Sequence, residues 1–262
     1  MFYVKKTYVM RVCSTKGGVG KTTVAINLAT AMQLRGYNVL IVDADSINPC
    51  VGLYMGLQDV NVGTFEAMRG KVDVRRAIIP HPVTGLHILP GKTGSEDTKY
   101  TKAQVSRFFK TIIALGYDFI IVDTQPGIMF PNNLDAYDEG LIVTLPFEAS
   151  CLSALKMSQL YSKTGLKTNV VANMVRGRRY ELSLRDIEEL TENHVIASLP
   201  EDEKVDVSIA EHIPIYLYDK KVRFSKAITD LADVYTSRVA LDREAPAYKG
   251  RGFFSWFRRN RG

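Results

Sequence analysis

Ser14-Thr15-Lys16-Gly17-Gly18-Val19-Gly20-Lys21-Thr22-Thr23 is the stretch on which the reading of this 262-residue chain turns. Tyr8–Cys13, just before it, reads as a strand, and Thr23 to about Arg35 reads as a helix ended by Gly36 at a C′ position. Strand, glycine-rich turn and helix N-terminus in that order build an anion site. Backbone N–H groups converge on it, and the helix dipole adds partial positive charge. Gly17, Gly18 and Gly20 permit the backbone angles such a loop needs and let oxygens approach the chain. In a loop of this form, running from Lys16 through Val19 to Thr23, Lys21 reaches the β- and γ-phosphates of a nucleotide and the Thr22 hydroxyl takes a Mg²⁺ coordination position.

Outward from the loop, strand-like and helix-like segments alternate. Asn38–Val42 is short, apolar and β-branched, as a buried parallel strand is. Leu86–Leu89, Phe119–Val122, Leu141–Thr144, Asn169–Ala172 and Val195–Ser198 read as further strands. Helical patterns lie between most of them, at roughly Lys102–Leu115, Ser150–Ser162, Leu182–Glu192 and Val222–Val239. The alternation predicts an α/β fold: a doubly wound, mostly parallel sheet with helices on both faces. Pro90-Gly91-Lys92-Thr93-Gly94 reads as a surface loop.

Three acids fall at strand ends, where open parallel sheets bind ligands. Asp43 and Asp45 follow the second strand, and carboxylates there can hold magnesium-bound water or orient an attacking one, although acids at strand ends also cap turns. Asp123 closes the apolar run Phe119-Ile120-Ile121-Val122 and is placed to bind Mg²⁺ through water. Lys16 is not required by an ordinary phosphate loop and, on position alone, reads as a solvated lysine.

The form Lys16-Gly17-Gly18-Val19-Gly20-Lys21-Thr22-Thr23 resembles the deviant Walker A loop of the MinD/ParA ATPases, and the similarity runs from about Tyr8 to Val239. The resemblance implies ATP/ADP and Mg²⁺ as cofactors and a homodimer that closes on ATP, with Lys16 contacting the nucleotide of the opposite subunit. It implies catalytic roles for Lys16, Lys21 and Asp45, the last on the hydrolytic water, and a magnesium shell around Thr22, Asp43 and Asp123. Asn173, at the end of Val170-Val171-Ala172, and the loop Leu199-Pro200-Glu201-Asp202 resemble the family's base-contacting segments, which assigns Asn173, Pro200 and Asp202 to the nucleotide. No guanine-reading N/T-K-x-D motif appears, which by the same resemblance favours ATP. Pro146–Leu152 looks more like MinD than ParA. Two places depart from the pattern: Cys50 stands where an Asn is usual, and Asp123-Thr124-Gln125-Pro126-Gly127 replaces a Ser/Thr-Pro-Ala-Gly-like run.

The C-terminus is a separate part. From Lys249 onward the chain carries five basic residues and no acid, which leaves the rest near neutral within a net charge of +6. Phe253, Phe254, Trp256 and Phe257 span an arc of about 160° on a helical wheel, with Arg258 and Arg259 on the other side. That distribution suits an interfacial helix on anionic lipid; folding back on the body or gripping single-stranded nucleic acid are the other readings. The expected organisation is an ATPase domain over 1–242, a linker over 243–250 and a membrane-targeting tail over 251–262. MinD proteins end in such a helix, so the resemblance implies a cytoplasmic switch, peripheral on the inner face of the membrane, that positions or recruits a protein partner in cell division or similar work. A ParA-like ATPase binding DNA through Arg176, Arg178, Arg179, Lys220, Lys221 and Arg223, and a metabolic P-loop enzyme, are the alternatives. Cys13, Cys50 and Cys151 form no C-x-x-C and the four histidines show no ligand spacing, which points away from a disulfide framework and from a zinc or iron–sulfur centre.

Overall fold

Every residue of Val39–Ala44, Phe119–Thr124 and Glu139–Thr144 is buried, a condition met only where helices cover both faces of a sheet. The computed structural model describes residues 7–57, 60–92, 100–127 and 134–244. In chain order the elements are β1 (Tyr8–Cys13), α1 (Lys21–Gln33), β2 (Val39–Ala44), α2 (Val51–Tyr54), α3 (Thr64–Met68), α4 (Val74–Ala77), β3 (Ile79–Pro80), β4 (His87–Leu89) and α5 (Lys102–Ile113). They continue with β5 (Phe119–Thr124), β6 (Glu139–Thr144), α6 (Glu148–Ser162), β7 (Thr168–Val175), α7 (Leu184–Thr191), β8 (Val195–Pro200), α8 (Glu203–Ala210), α9 (Ile215–Tyr218) and α10 (Arg223–Glu244).

The eight strands form one sheet in the order β3-β4-β2-β5-β1-β6-β7-β8, parallel throughout except for the two-residue edge strand β3. The doubly wound reading holds. One face packs under α3 to α7 with Phe65, Phe109 and Met157 among its core residues, and the other under α1, α9 and α10 with Leu28, Ile228 and Leu231. Arg11 is fully buried, its guanidinium 5.7 Å and 5.4 Å from the ring centres of Tyr137 and Tyr161.

α10 crosses the whole height of the sheet. Phe224, in its first turn, lies beside Asn173 and Pro200 at the C-terminal strand ends. Near its other end Tyr235 and Arg238 reach Glu139, the first residue of β6, with bonds of 2.5 Å to Oε1 and 3.2 Å to Oε2. Tyr8 Oη and Asn169 Nδ2 also donate to this carboxylate, each at 2.8 Å, so four donors from three elements share one buried acid.

Several boundaries differ from expectation. β2 and β5 run two residues further, taking Asp43 and Asp123 into the strands, because cross-strand pairing of Asp43 with Asp123 continues the ladder. α1 begins at Lys21, not Thr23. α10 extends through Glu244, so the first two positions of the expected linker are helical; positions 245–250 and the tail 251–262, with Phe253, Phe254, Trp256, Phe257, Arg258 and Arg259, lie outside the described residues. The supposed surface loop at Pro90 is corrected for its first residues: Pro90 is buried, and its carbonyl accepts from the Thr64 N–H at 2.8 Å. A Cβ on Gly91 would stand 2.3 Å from Pro49 Cβ, so the chain passes directly behind the Asp43 loop. Thr93 and Gly94 are outside the described residues. The short helices α2, α3, α4, α8 and α9 were not foreseen.

Candidate functional site

A cavity of about 550 Å³ opens at the C-terminal ends of the parallel strands, the position at which open α/β sheets bind ligands. One wall is the loop Lys16–Thr23; the other carries Asp45, Ile47, Asn48, Cys50 and Tyr54, with Pro126 and Met174 at the margins. Gly20 is the N-cap of α1 with φ 84°, and a Cβ there would stand 2.3 Å from Asn173 Nδ2. Only glycine meets both demands, the left-handed angle and the close approach.

The charged groups are layered. Lys21, 7 % exposed, points inward with Nζ 3.7 Å from Asp123 Oδ1. Thr22 Oγ1 donates to Asp123 Oδ2 at 2.6 Å. Asp43 Oδ1 accepts from the Asp45 N–H at 3.1 Å and Oδ2 from the Val51 N–H at 3.0 Å, so this carboxylate organises the loop that follows it. Asp45 Oδ1 accepts from the N–H groups of Ile47 and Asn48 at 3.0 Å and 2.8 Å. Burial, with the nearby Asp123 charge, pushes the Asp43 carboxyl up to about 8. Burial also raises Asp123, against the opposing pull of Lys21.

Two adjacent desolvated carboxylates call for a cation. Asp123 Oδ1 is buried and accepts no hydrogen bond, and Thr22 stands next to it with a hydroxyl. A hard, oxygen-seeking ion such as Mg²⁺ fits that donor set, with phosphate and water completing it. Among the described residues no group of three or more His, Cys, Asp and Glu side chains is arranged to hold a metal.

Lys16 is exposed at the cavity mouth and has no ion-pair partner among the described residues. Ser14 Oγ donates to its carbonyl at 2.8 Å, fixing the backbone and leaving the ammonium free. Gly17, Gly18, Val19 and Thr23 line the same cavity. Asn173, Pro200 and Asp202 meet at an adjoining slot of about 80 Å³. Asn173 also fastens the loop, its Nδ2 donating to the Val19 carbonyl at 2.8 Å. Met174 follows with φ 56°, an uncommon angle for a non-glycine residue, and faces both spaces. Met174, Val205, Ile209 and Phe224 complete the slot and carried no signal in the sequence, since each reads as an ordinary apolar residue of its element.

The remaining candidates separate. Arg176 is bound bidentately to Glu201 at 2.5 Å and 2.6 Å, and Lys220 sits 5.7 Å from the centre of the Tyr216 ring. Two of the six cations suggested for DNA are thus engaged within the fold. All three cysteines are free thiols, with Cys13 and Cys151 buried.

A family model described as the CobQ/CobB/MinD/ParA nucleotide binding domain matches residues 10–215. The chain belongs to this family. It is 29 % identical over 230 residues to an uncharacterised ATP-binding protein of Methanocaldococcus jannaschii, covering 86 % of this chain and 87 % of that one. It is likewise 29 % identical over 235 residues to the septum site-determining protein MinD of Thermotoga maritima, covering 86 % of each. The solved structure of MinD from Pyrococcus horikoshii, complexed with Mg-ADP, superposes with a TM-score of 0.83 at 25 % identity, covering 91 % of this chain and 100 % of that one. The loop Lys16–Thr23 and its cavity lie within the stretch that the nucleotide-binding family model matches. No helix among the described residues is long and apolar enough to cross a membrane.

Proposed function

We propose that this chain is a MinD-like switch: it binds and hydrolyses ATP with Mg²⁺, dimerises while ATP is bound, and docks reversibly on the inner face of the cell membrane to position or recruit a protein partner. The observation that carries the reading is the division of labour between two lysines. Lys21 is buried against Asp123, as a residue serving its own nucleotide is, whereas Lys16 stands exposed and unpaired at the mouth. A cation held there acts on charge only when a second copy brings a phosphate to it, which makes hydrolysis conditional on pairing.

The chain's own residues divide the chemistry. Gly17 to Thr23 cradle phosphate oxygens with backbone N–H groups, and Lys21 neutralises charge on the terminal phosphates. Thr22 and Asp123 hold Mg²⁺, with Asp43 beside them; the ion supplies charge stabilisation on phosphate oxygens. Asp45 orients the attacking water, and Asn173, Pro200 and Asp202 hold the base.

The tail makes the membrane step sensitive to pairing. Each basic residue near an anionic surface contributes about 1 kcal/mol, and each aromatic at most about 1.5–3 kcal/mol. Ordering a disordered segment costs about 1–2 kcal/mol per residue, so one tail is marginal. Two tails on one dimer gain a further factor of about 10²–10⁴ through effective concentration. Co-sedimentation with anionic liposomes under ADP, ATP and no nucleotide tests this. Sedimentation is expected with ATP alone, and deletion of 252–262 is expected to abolish it while ATP binding persists. Unchanged sedimentation after the deletion removes the tail from the proposal. A salt-sensitive, ATP-dependent shift of duplex DNA would favour the ParA-like alternative.

A further inference from the structure

The loops that follow the two acidic strand ends are joined by one side-chain hydrogen bond: Ser46 Oγ donates to Gln125 Oε1 at 2.9 Å. β2 and β5 are neighbours with Asp43 opposite Asp123 and Ala44 opposite Thr124, so this bond continues their pairing beyond the last paired residues. Both side chains are half-buried. Their neighbours Asp45, Ile47 and Pro126 line the large cavity. Because Asp45 accepts from the N–H of Ile47, its carboxylate is fixed to the backbone turn that carries Ser46. On the other side, the Gly127 N–H donates to the Ser14 carbonyl at 2.8 Å, fastening the Gln125 loop to the start of the phosphate loop.

We infer that Gln125 is a positioning residue for hydrolysis: through Ser46 it holds the Asp45 loop in place against the phosphate loop, so that the Asp45 carboxylate is set for the attacking water before nucleotide arrives. The inference rests on the ATPase reading above and goes beyond it. The residue type fits the place. A carboxylate at position 125 would add negative charge near Asp43, Asp45 and Asp123, and an apolar side chain would leave the Ser46 hydroxyl without its acceptor. The neutral amide oxygen does neither.

The test uses the full chain with Ser46→Ala, Gln125→Ala, the double variant, and Ser46→Thr as the conservative replacement that keeps the hydroxyl. In nucleotide-free protein, amide hydrogen exchange over positions 44–50 is expected to quicken about fivefold in either alanine variant, the factor that corresponds to about 1 kcal/mol for one hydrogen bond. The double variant is expected to exchange no faster than the singles, because the two residues act as one unit. With Mg-ATP, kcat is expected to fall while KM and the calorimetric affinity stay within about twofold, and Ser46→Thr to restore both exchange and kcat. Unchanged exchange, unchanged kcat, additive effects in the double variant, or failure of Ser46→Thr to restore them each overturns the proposal. Absence of ATP binding in the unsubstituted protein overturns the ATPase reading instead, and with it the role in hydrolysis; the exchange measurement still decides whether the contact holds the loop.

Discussion

Replacing Glu139 with alanine should loosen the far half of α10 without touching the nucleotide cavity. The carboxylate is 4 % exposed and receives Tyr8, Asn169, Tyr235 and Arg238. Burial and this carboxylate's charge together hold the Tyr8 and Tyr235 hydroxyls well above the usual tyrosine range, so both remain neutral donors. Glu139→Ala leaves the Tyr235 hydroxyl, on a residue 1 % exposed, with no acceptor, and an orphaned buried donor costs about 1–3 kcal/mol. Tyr8 and Asn169 are partly buried and add less, while Arg238, 46 % exposed, can turn to water and adds little. The sum is about 3–5 kcal/mol, or a fall in Tm of about 6–20 °C for a domain of this size. Glu139→Gln keeps one oxygen acceptor and should lose about 1–2 kcal/mol. Guanidinium unfolding measures the loss, and hydrogen exchange should find it concentrated in the second half of α10, with Mg-ATP affinity retained. A loss below about 1 kcal/mol for the alanine variant, or one spread evenly over the chain, would refute the idea that this acid clamps the helix.

Lys16→Ala should keep ATP binding yet remove the ATP-dependent dimer, as light scattering after gel filtration would report; a persisting dimer would return Lys16 to the role of a surface lysine. Gly20→Ala should cost about 2–3 kcal/mol, from the left-handed angle and the crowding against Asn173, and the Gly20→Ala, Asn173→Ala pair should cost less than the sum of the singles in urea unfolding. Without nucleotide or magnesium, stability should fall as pH rises between about 4 and 8. Asp43 is held at about 8 in the fold against about 3.9 unfolded, so the folded chain binds the extra proton in that window and one group contributes a slope of about 1.4 kcal/mol per pH unit. Asp43→Asn should flatten the slope in denaturation at pH 5.5 and 7.5, and an unchanged slope would acquit Asp43 as its source.

What could be read in the sequence was what is local. The phosphate loop needs glycines, a lysine and a threonine at fixed offsets, and the acids at positions 43 and 123 follow unbroken apolar runs that only buried strands produce. Both the loop and the buried parallel strands beside it follow from such patterns; the order of the strands in the sheet does not. The stretch from Val51 to Pro80 resisted reading because its helices are only four or five residues long, shorter than a helix that holds by propensity. They exist because α3 and α4 are packed against α5 and β2 is close by. Asn173 enters through the family resemblance alone, and its grip on Val19, 154 residues away in the chain, leaves no local signal. The same holds for Ser46 and Gln125: the departure at position 125 was visible, its partner was not.

The 22-residue α10 rises about 33 Å from the nucleotide end of the sheet to the opposite pole. A tail that follows it starts from that pole, and the six positions between Glu244 and Arg251 can reach only about 20 Å. In a pair closed with its cavity mouths facing, each tail root would stand on the side away from the seam, and a flat bilayer gripped by both tails would run alongside the dimer. The separation of the two roots, and not only their number, would then set how much pairing adds to the grip on lipid.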